Sequence, residues 1–494
     1  MLRPRIDPRI YRSKTPNFRQ LAIKYSSTFG VFVKDEGGYE AKIDFHDADA
    51  VRCLAQTLLL DDFGIRATLS PSNLCPMIPN RLAYISLIHE LLSWTLPTWH
   101  LLHHFQRCPL DATVRGLDIG TGASAIYPVL GAACFAAWRF VGTDIDEGSL
   151  EYARQHVVDC AADEVKGRIA LLRVGEDEAF VSGQETGGLD FTMCNPPFYS
   201  SRQEMDELAR FKKQPANAVC HGTPSEMIVS GGEVCFVQRM IQESLAARKK
   251  VLWWTCMLGK LSSVVTLSGE LKQLGKEGKV AGWVVHELST GGGRTKRWVI
   301  MWTAAAATAL RIPDTLSRDG LPGTLEKTKP VSAERCGNVL KLGSDWTRKE
   351  LLAVTTRILN ELEGCSIYPS AYQQLQGGHA RSTHTALTAD TGTIDVIVTR
   401  ESWTRKARRA KLQTTDTTPA SNPRASIAGP LLMARISFRE SQTNRSEESG
   451  ETGGLVVKVS WTYGMDAVKF ESFAMFLLAA VERRVVEDSP TPSQ

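Results

Sequence analysis

Apolar and polar positions along roughly the first 300 residues predict alternating strands and helices. This alternation is typical of a largely parallel, doubly wound α/β sheet with helices on both faces. A short glycine-rich link joins the last two predicted strands, so that edge of the sheet is expected to be antiparallel. The predicted strands lie within 116–122 and at 139–146, 168–174, 189–194, 251–254, 282–288 and 298–302, and the predicted helices lie at 48–60, 80–92, 147–160 and 233–247.

A second region with regular periodicity follows a polar, proline-containing linker at 304–341. We expect a smaller C-terminal α+β accessory domain at 342–494, preceded by a Rossmann-like domain at 46–303 and a basic, irregular N-terminal arm at 1–45. Polar inserts at 402–426 and 440–454 interrupt the C-terminal domain. Its predicted elements are helices at 348–362 and 466–485 and strands at 394–398, 431–438 and 455–461.

Composition restricts the class of protein but does not identify its function. The chain has 494 residues with 58 Lys and Arg against 54 Asp and Glu, so the formal net charge is only +4. Binding of nucleic acid can therefore be argued only from where the charge lies. The 11 cysteines form no Cys-x-x-Cys pair, which favours reduced thiols over disulfides or a zinc site. No apolar run is long enough to span a bilayer.

Basic residues occur in four separate clusters that could contact RNA phosphates. Solvated surface charge is the alternative for each cluster. The last cluster, beside Trp403, also suits a nuclear import receptor. The candidates are Arg9, Arg12 and Lys14 in the N-terminal arm, Lys212 and Lys213 in a long polar loop at 199–232, Arg294, Lys296 and Arg297 in a glycine hairpin, and Arg405, Arg408 and Arg409 in the first insert.

The strand at 189–194 stops abruptly at Asn195-Pro196-Pro197-Phe198. Proline lacks a main-chain donor and has a fixed φ, so neither a helix nor a sheet ladder can continue through the pair. Asn195 and Phe198 are therefore held on a stiff corner at a carboxyl strand end, where open α/β sheets bind ligands. A carboxamide and an aromatic ring suit a planar, amine-bearing ring such as adenine or cytosine. A structural turn with a buried aromatic is the alternative.

A glycine turn follows the first strand of this domain, in the run Asp118 to Gly122. Its glycines allow a ligand to approach the backbone, and Asp144 follows Gly120 by 24 residues, a spacing suited to a ribose diol. The turn lacks the three glycines of a dinucleotide site, which disfavours a pyrophosphate-bearing cofactor. Arg81 is expected in the first turn of a helix, where a cation needs a partner, either a ligand carboxylate or a surface acid.

The chain resembles the methyltransferase-like protein 16/RlmF family from about Tyr11 to Trp302. Motifs that carry the resemblance occur in order along the chain. They are Asp61–Gly64, Pro79–Tyr84, Gly116–Pro128, Met193–Phe198, Gly231–Glu233, Cys256–Lys260 and Gly293–Trp298. Beyond that, the C-terminal domain resembles the family's eukaryotic RNA-binding extension in outline.

This resemblance implies an S-adenosylmethionine-dependent RNA adenine N6-methyltransferase with a Rossmann-like methyltransferase sheet. The implied partners are U6 small nuclear RNA and messenger RNA hairpins, in the nucleus or also in the cytoplasm, with no membrane and no obligate protein partner. Asp144 replaces a glutamate common in the family, which implies a shorter reach to the ribose. The implied cofactor-binding residues are Arg81, Asp118, Gly120, Gly122, Ser124, Asp144 and Asn195, and the implied catalytic residues are Asn195, Pro196, Pro197 and Phe198.

Two other functions remain open from the residues. A protein-glutamine methyltransferase of the release-factor type shares the Asn-Pro-Pro corner, although Tyr usually follows it where this chain has Phe198. A non-catalytic RNA-binding protein with a degenerate methyltransferase fold is the third possibility. Intact Gly120, Asp144 and Asn195 disfavour it.

Overall fold

The computed structural model describes most of both predicted domains. It contains a seven-stranded sheet, a five-stranded sheet and a two-stranded ribbon. The described residues are 10–11, 16–34, 41–103, 113–181, 188–211, 222–247, 250–288, 296–304, 338–342, 346–369, 393–404, 407, 431–440, 455–464 and 467–487.

The seven-stranded sheet matches the predicted strands closely and has one reversed strand. Its order is β5-β4-β3-β6-β7-β9-β8, and β9 runs antiparallel to both of its neighbours. This confirms the expected antiparallel edge. Strand β9 lies between β7 and β8, so β8 is the edge strand. The strands are β1 (Val33–Lys34) and β2 (Lys42–Ile43) in the ribbon, and β3 (Val114–Ile119), β4 (Trp138–Asp144), β5 (Ile169–Arg173), β6 (Leu189–Cys194), β7 (Val251–Leu258), β8 (Gly282–Leu288) and β9 (Arg297–Thr303) in the sheet.

Helices cover both faces of this sheet, and several were not predicted. The periodic residues Val264, Leu267 and Leu271 are buried on an unpredicted helix, α10. The predicted polar loop at 199–232 was partly wrong, because it contains α7 and α8. The helices are α1 (Phe18–Lys24), α2 (Ala48–Phe63), α3 (Ile78–His103), α4 (Ile126–Cys134), α5 (Glu147–Ala153), α6 (Asp163–Lys166), α7 (Arg202–Phe211), α8 (Pro224–Met227), α9 (Gly232–Ala246) and α10 (Leu261–Lys276).

The N-terminal region is more regular than the sequence suggested. Asn17 caps α1 by accepting a hydrogen bond from the Gln20 main-chain N–H at 3.1 Å. Leu21, Phe29 and Ile43 are buried in the same apolar cluster as the main sheet. The prediction that the N-terminal arm at 1–45 is irregular is therefore wrong for the segment from Phe18 to Lys24, which folds because its apolar side chains reach this core.

Helix α3 is longer than predicted and is anchored to β7 by polar contacts. The Tyr84 hydroxyl lies 2.6 Å from that of Thr255, and the Trp253 indole N–H donates to the Thr95 hydroxyl at 2.9 Å. All four side chains are buried, so these bonds pair polar groups that would otherwise be costly to bury. None of the described helices, α3 included, is long and apolar enough to cross a bilayer.

The C-terminal domain is an antiparallel five-stranded sheet with the order β10-β14-β13-β12-β11. Sequence periodicity identified three of its strands and both helices. It missed β11 and β10, and all but the last residue of β10 fall inside the predicted linker. The elements are β10 (Asn338–Leu342), α11 (Arg348–Asn360), β11 (Cys365–Pro369), β12 (Thr393–Val398), β13 (Leu432–Glu440), β14 (Leu455–Gly464) and α12 (Ala467–Glu487).

A buried ion pair lies where this second sheet meets α3. Asp395 and Arg435 face each other on β12 and β13, with Nε of Arg435 2.8 Å from a carboxylate oxygen. The Arg435 guanidinium also donates to the main-chain oxygen of Ser93 at 2.9 Å. Neighbours Ile394 and Ala434 pack in the domain's own core, so Arg435 and Asp395 lie on the opposite face of the sheet. The pair thus joins the C-terminal domain to the first domain.

Breaking this pair should destabilise the protein because it leaves one buried charge without a partner. We expect Arg435→Met to lower the free energy of unfolding by about 3–5 kcal/mol. Replacing both residues, as Arg435→Met with Asp395→Leu, should recover most of that loss, because no buried charge remains. Urea unfolding of the single and double variants measures both values. A loss below about 1 kcal/mol in the single variant would contradict the prediction.

Asp190, at the start of β6, gives the fold a pH dependence. Burial raises the pKa of this carboxyl from 3.8 to about 7, although the Arg115 main-chain N–H donates to it at 2.8 Å. The folded chain therefore binds more protons than the unfolded chain between these values. The contribution of Asp190 to stability is complete below about pH 4 and is lost as the pH rises to about 7.

Asp190→Asn keeps a hydrogen-bond acceptor but cannot ionise. We expect the free energy of unfolding of the wild type, minus that of Asp190→Asn, to fall by about 2–3 kcal/mol from pH 5 to pH 8. Urea unfolding at both pH values measures the difference. In Asp163→Asn the same difference should stay constant between pH 5 and pH 8, because the Lys166 hydrogen bond lowers the pKa of the exposed Asp163 and this carboxyl titrates only below that range. A constant difference for Asp190→Asn would contradict the assignment.

Candidate active site

A cavity of about 660 Å³ opens at the carboxyl ends of β3, β4 and β6. The sequence predicted a ligand-binding site at this edge of the sheet. Most of the predicted site residues line the cavity. They are Arg81, Gly120, Gly122, Ser124, Asp144, Asn195, Pro196 and Pro197.

The glycine turn after β3 forms the floor of this cavity. Gly120 and Gly122 have φ values of +72° and +63°, which other residues rarely adopt. A Cβ atom at Gly120 would meet nothing within 4 Å, so the space beside its backbone is open to a ligand. Ala125 also has a positive φ, of 41°, where the chain enters α4. The turn thus contains local strain of the kind that often occurs at ligand sites.

Asp144 binds the glycine turn as well as lining the cavity. One carboxylate oxygen accepts the Gly122 main-chain N–H at 2.8 Å, and the other accepts that of Asp146 at 3.0 Å. Burial raises the pKa of this carboxyl, and the main-chain donors oppose the shift. Each oxygen can accept a further bond. Asp144 therefore fixes the shape of the turn, and contact with a ribose remains a prediction.

Arg81 lies in the first turns of α3, as predicted, and its partner is not an acid. Its guanidinium donates to the Tyr127 hydroxyl at 2.7 Å and lies 3.7 Å from the Met257 sulfur. Its Nε atom is buried and has no hydrogen-bond partner in the part of the chain that is described. A buried, incompletely paired guanidinium beside a cavity is suited to an anionic ligand group.

Asp118 lies behind the turn rather than on the cavity surface. It is only 1% exposed, and one oxygen accepts the Thr121 hydroxyl at 2.7 Å. The other oxygen has no partner among the described residues. Burial raises the pKa of this carboxyl to about 7, while the Thr121 bond and nearby Arg81 oppose the rise. In this position, Asp118 supports the turn from within the protein.

Asn195 lines the cavity at the carboxyl end of β6, and its role in binding or catalysis remains a prediction. Strand β6 is buried along its whole length and ends one residue before it. The Asn195 side-chain oxygen is buried and lacks a hydrogen-bond partner within the described residues. A buried amide oxygen without a partner costs free energy, so an incoming N–H donor would be favourable.

Phe198 is not among the residues that line the cavity. A Cβ atom built on Gly259 would lie only 2.9 Å from a ring carbon of Phe198, so this ring packs directly on the Gly259 backbone. The guanidinium carbon of Arg297 lies 5.6 Å from the ring centre, within cation–π range. The ring is half-buried and remains partly exposed. Any stacking of a base on Phe198 would thus occur beside the main cavity.

Main-chain bonds hold the segment after this corner. The Tyr199 N–H donates to the Met227 oxygen at 3.1 Å, and the Val229 N–H donates to the Tyr199 oxygen at 3.0 Å. Glu204, at the start of α7, accepts bonds from Ser200 and pairs with Lys260. These bonds, with that of Lys260 first, lower the pKa of Glu204 to about 2. The corner is therefore held from both sides.

Three glutamates that sequence reasoning missed hold the walls of the site. Glu226 accepts the main-chain N–H groups of Leu74 and Thr223 at 3.0 and 2.8 Å. Glu243 accepts those of Phe180 and Val181 at 2.8 and 2.6 Å, while Arg239 donates to the carbonyls of the same cavity-lining loop. The third, Glu233, accepts the main-chain N–H groups of Gly259 and Lys260 at 2.8 and 3.0 Å. Of these, only Glu233 had a sequence signal, an acid directly after two glycines at a predicted helix start.

Few of the predicted RNA-binding residues fall in described segments. Lys296 pairs with Glu287 at 2.9 Å, and Arg297 covers the Phe198 ring. The others lie outside the described residues. They are Arg9, Arg12, Lys14, Lys212, Lys213, Arg294, Arg405, Arg408 and Arg409.

The fold has a solved counterpart. The structure of the human Mettl16 catalytic domain in complex with MAT2A 3'UTR hairpin 1 is 32% identical to this chain, with a TM-score of 0.52. The match covers 61% of this chain and 96% of that one. It confirms the predicted Rossmann-like methyltransferase sheet.

Sequence relatives agree with the structural match. The U6 small nuclear RNA (adenine-(43)-N(6))-methyltransferase of Schizosaccharomyces pombe is 36% identical over 268 residues, 54% of this chain and 63% of that protein. The RNA N(6)-adenosine-methyltransferase METTL16 of Mus musculus is 31% identical over 365 residues, 72% of this chain and 62% of that protein. The chain thus spans somewhat less than two thirds of these two curated relatives.

A family model described as RNA methyltransferase matches residues 2–306. This region includes the glycine turn, the Asn195 corner and every strand of the seven-stranded sheet. The match covers more than half of the chain, which therefore belongs to this family of RNA methyltransferases.

Proposed function

We propose that the protein transfers a methyl group from S-adenosylmethionine to the N6 atom of an adenine in RNA, with U6 small nuclear RNA as substrate. The observation that carries this proposal is the buried side-chain oxygen of Asn195, a cavity-lining residue, which has no hydrogen-bond partner among the described residues. An exocyclic amine supplies the N–H donor that this oxygen lacks among the described residues. The U6-specific enzyme of S. pombe, at 36% identity, supports the choice of RNA.

The cavity fits the cofactor in three respects. The Arg81 guanidinium would bind its carboxylate, and the open space at Gly120 would admit it beside the backbone. Asp144 lines the cavity, and its oxygens would accept a further bond from a ribose hydroxyl. Ser124 and Gly122 line the same space. When bound, S-adenosylmethionine supplies a methyl group activated by its sulfonium charge. We assign Asp118 the supporting role of fixing the glycine turn.

The Asn195 corner would orient the adenine amine for attack. The base must first leave its stack, which costs about a few kcal/mol. The Asn195 amide oxygen and the Pro196 main-chain oxygen would then accept the two N–H bonds of the amine. Pro197 keeps these acceptors rigid, and Phe198 would stack on the ring. Because the amine loses its proton to water only after it is methylated, orientation and electrostatic preorganisation are sufficient without a strong base.

Messenger RNA hairpins are a second substrate class. The human Mettl16 catalytic domain was solved with such a hairpin, and its fold matches this chain at a TM-score of 0.52. Action on a small nuclear RNA would place the enzyme in the nucleus. The C-terminal domain and the basic clusters would add RNA contacts outside the cavity.

Replacing Asn195 tests the assigned chemistry. We expect Asn195→Ala to lower methyl transfer from labelled cofactor to a U6 transcript by about 100-fold or more, because one preorganised acceptor is lost. Cofactor affinity should fall much less than methyl transfer, because Arg81, the glycine turn and Asp144 still line the cavity. Asn195→Asp, which keeps an acceptor oxygen, should retain more activity than the alanine variant.

Three measurements complete this test. Thermal unfolding should show that both variants fold like the wild type. Mapping of the methylated base identifies N6-methyladenosine, and a release-factor substrate methylated instead of RNA would favour the glutamine methyltransferase. Turnover at the wild-type level in Asn195→Ala would refute the assignment.

The basic insert of the C-terminal domain should contribute to RNA affinity through phosphates. We expect Arg405→Ala, Arg408→Ala and Arg409→Ala together to weaken binding of a U6 transcript. The slope of log Kd against log salt concentration should fall by about one unit for each phosphate that the insert no longer neutralises. Filter binding over a range of salt concentrations measures both effects.

A matched charge reduction separates local contacts from net charge. Lys272 lies in the C-terminal half of α10, Lys276 is its last residue and Lys279 follows it; the helix begins at the cavity edge of the sheet and runs away from it. Their combined replacement by alanine removes the same charge and should leave the salt slope near the wild-type value. Equal slopes for the two triple variants would count against a binding role for the insert.

A further inference from the structure

We infer that Glu233 is a positioning residue that sets the Phe198 ring for the target base. The inference rests on the proposed function, in which Phe198 stacks on that base. Glu233 lies in the first turn of α9 and is only 1% exposed. One carboxylate oxygen accepts the Gly259 main-chain N–H at 2.8 Å, and the other accepts that of Lys260 at 3.0 Å.

Gly259 is the surface on which the Phe198 ring rests. A Cβ atom at this position would lie 2.9 and 3.2 Å from two ring carbons of Phe198, and 3.6 Å from a Glu233 oxygen. Even a methyl group would therefore force the ring to move. Because Glu233 determines where the Gly259 backbone lies, it also determines where the ring lies.

The same carboxylate holds a second support of the corner. Lys260, whose N–H binds Glu233, extends its ammonium group to Glu204 and lies 5.4 Å from the Tyr199 ring centre. On the other side, a Cβ atom at Gly232 would lie 3.7 Å from the Phe198 oxygen and 3.4 Å from the Ser200 nitrogen. The start of α9 and the turn after β7 thus enclose the corner between them.

A carboxylate is the side chain this position requires. The turn after β7 presents two successive main-chain N–H groups, and an ionised carboxylate accepts both with charge-assisted bonds. The helix dipole favours a negative charge in the first turn of α9. A carboxamide has one acceptor oxygen, so glutamine would place its NH2 group against one of the two donors.

Glu243 offers a matched control on the same helix. It also accepts two successive main-chain N–H groups, from Phe180 and Val181, at 2.8 and 2.6 Å. These belong to the loop that lines the cofactor end of the cavity, away from Gly259. The same substitution at the two glutamates therefore loosens two different walls.

The experiment compares Glu233→Gln and Glu243→Gln in the full-length protein with a U6 transcript as the probe. We expect Glu233→Gln to lower kcat by about 10- to 100-fold, because small misplacements of a stacking group have effects of this size. Its KM for S-adenosylmethionine should stay within about twofold. Glu243→Gln should instead raise that KM. Gly259→Ala, which displaces the ring directly, should reproduce the kcat defect.

The outcomes separate this inference from the proposed function. Equal kcat values for Glu233→Gln and the wild type would overturn the role of Glu233, as would an equal kcat loss in both glutamine variants. A wild-type protein that methylates no RNA would refute the proposed function instead. In that case hydrogen exchange decides the inference, since only Glu233→Gln should speed exchange at Gly259 and Lys260. Unchanged exchange there would overturn it.

Discussion

Hydrogen bonds from main-chain N–H groups to acidic side chains hold the loops that surround the cavity. Strand ladders end at this edge of the sheet, so the turns that follow leave N–H groups without strand partners. A buried N–H without a partner costs about 1–3 kcal/mol, and a carboxylate can accept two of them at once. The acids that accept two are Asp144, Glu226, Glu233 and Glu243, and Glu204 accepts one main-chain N–H, that of Ser200.

These bonds also explain how a site made of loops can be rigid enough for chemistry. The acids sit on helices or at strand ends, whose positions are fixed by the apolar core. These hydrogen bonds therefore fix the position of each loop relative to a rigid helix or strand. Preorganisation of this kind keeps acceptors and aromatic groups in place before any ligand arrives.

Helix α3 connects the cavity with the second domain. Arg81 near its start reaches the cavity, Tyr84 and Thr95 bond to β7, and the Ser93 carbonyl accepts from Arg435 on β13. The placement of the Arg81 guanidinium thus depends on packing against the seven-stranded sheet. The C-terminal sheet contacts the same helix and so lies at a defined place relative to the cavity.

Local sequence patterns were sufficient for much of the fold. Apolar runs of strand length, and the two prolines after Asn195, depend on neighbours in the chain, so all seven main strands and the corner could be predicted. Patterns failed where the deciding contacts were distant. Helix α1 forms because Leu21 reaches a remote core, and β10 pairs with β14, over a hundred residues away.

The sequence by itself determined that a rigid asparagine corner and a glycine turn would meet at one sheet edge, since parallel strands place their carboxyl ends together. Only the tertiary structure decided that the Phe198 ring rests on Gly259 outside the cavity, that both Asp144 oxygens bind main-chain N–H groups, and that Glu233 and Glu243 serve different walls. The reason is physical: a side chain's partner across space depends on how loops pack, and residues brought together in this way share no local pattern.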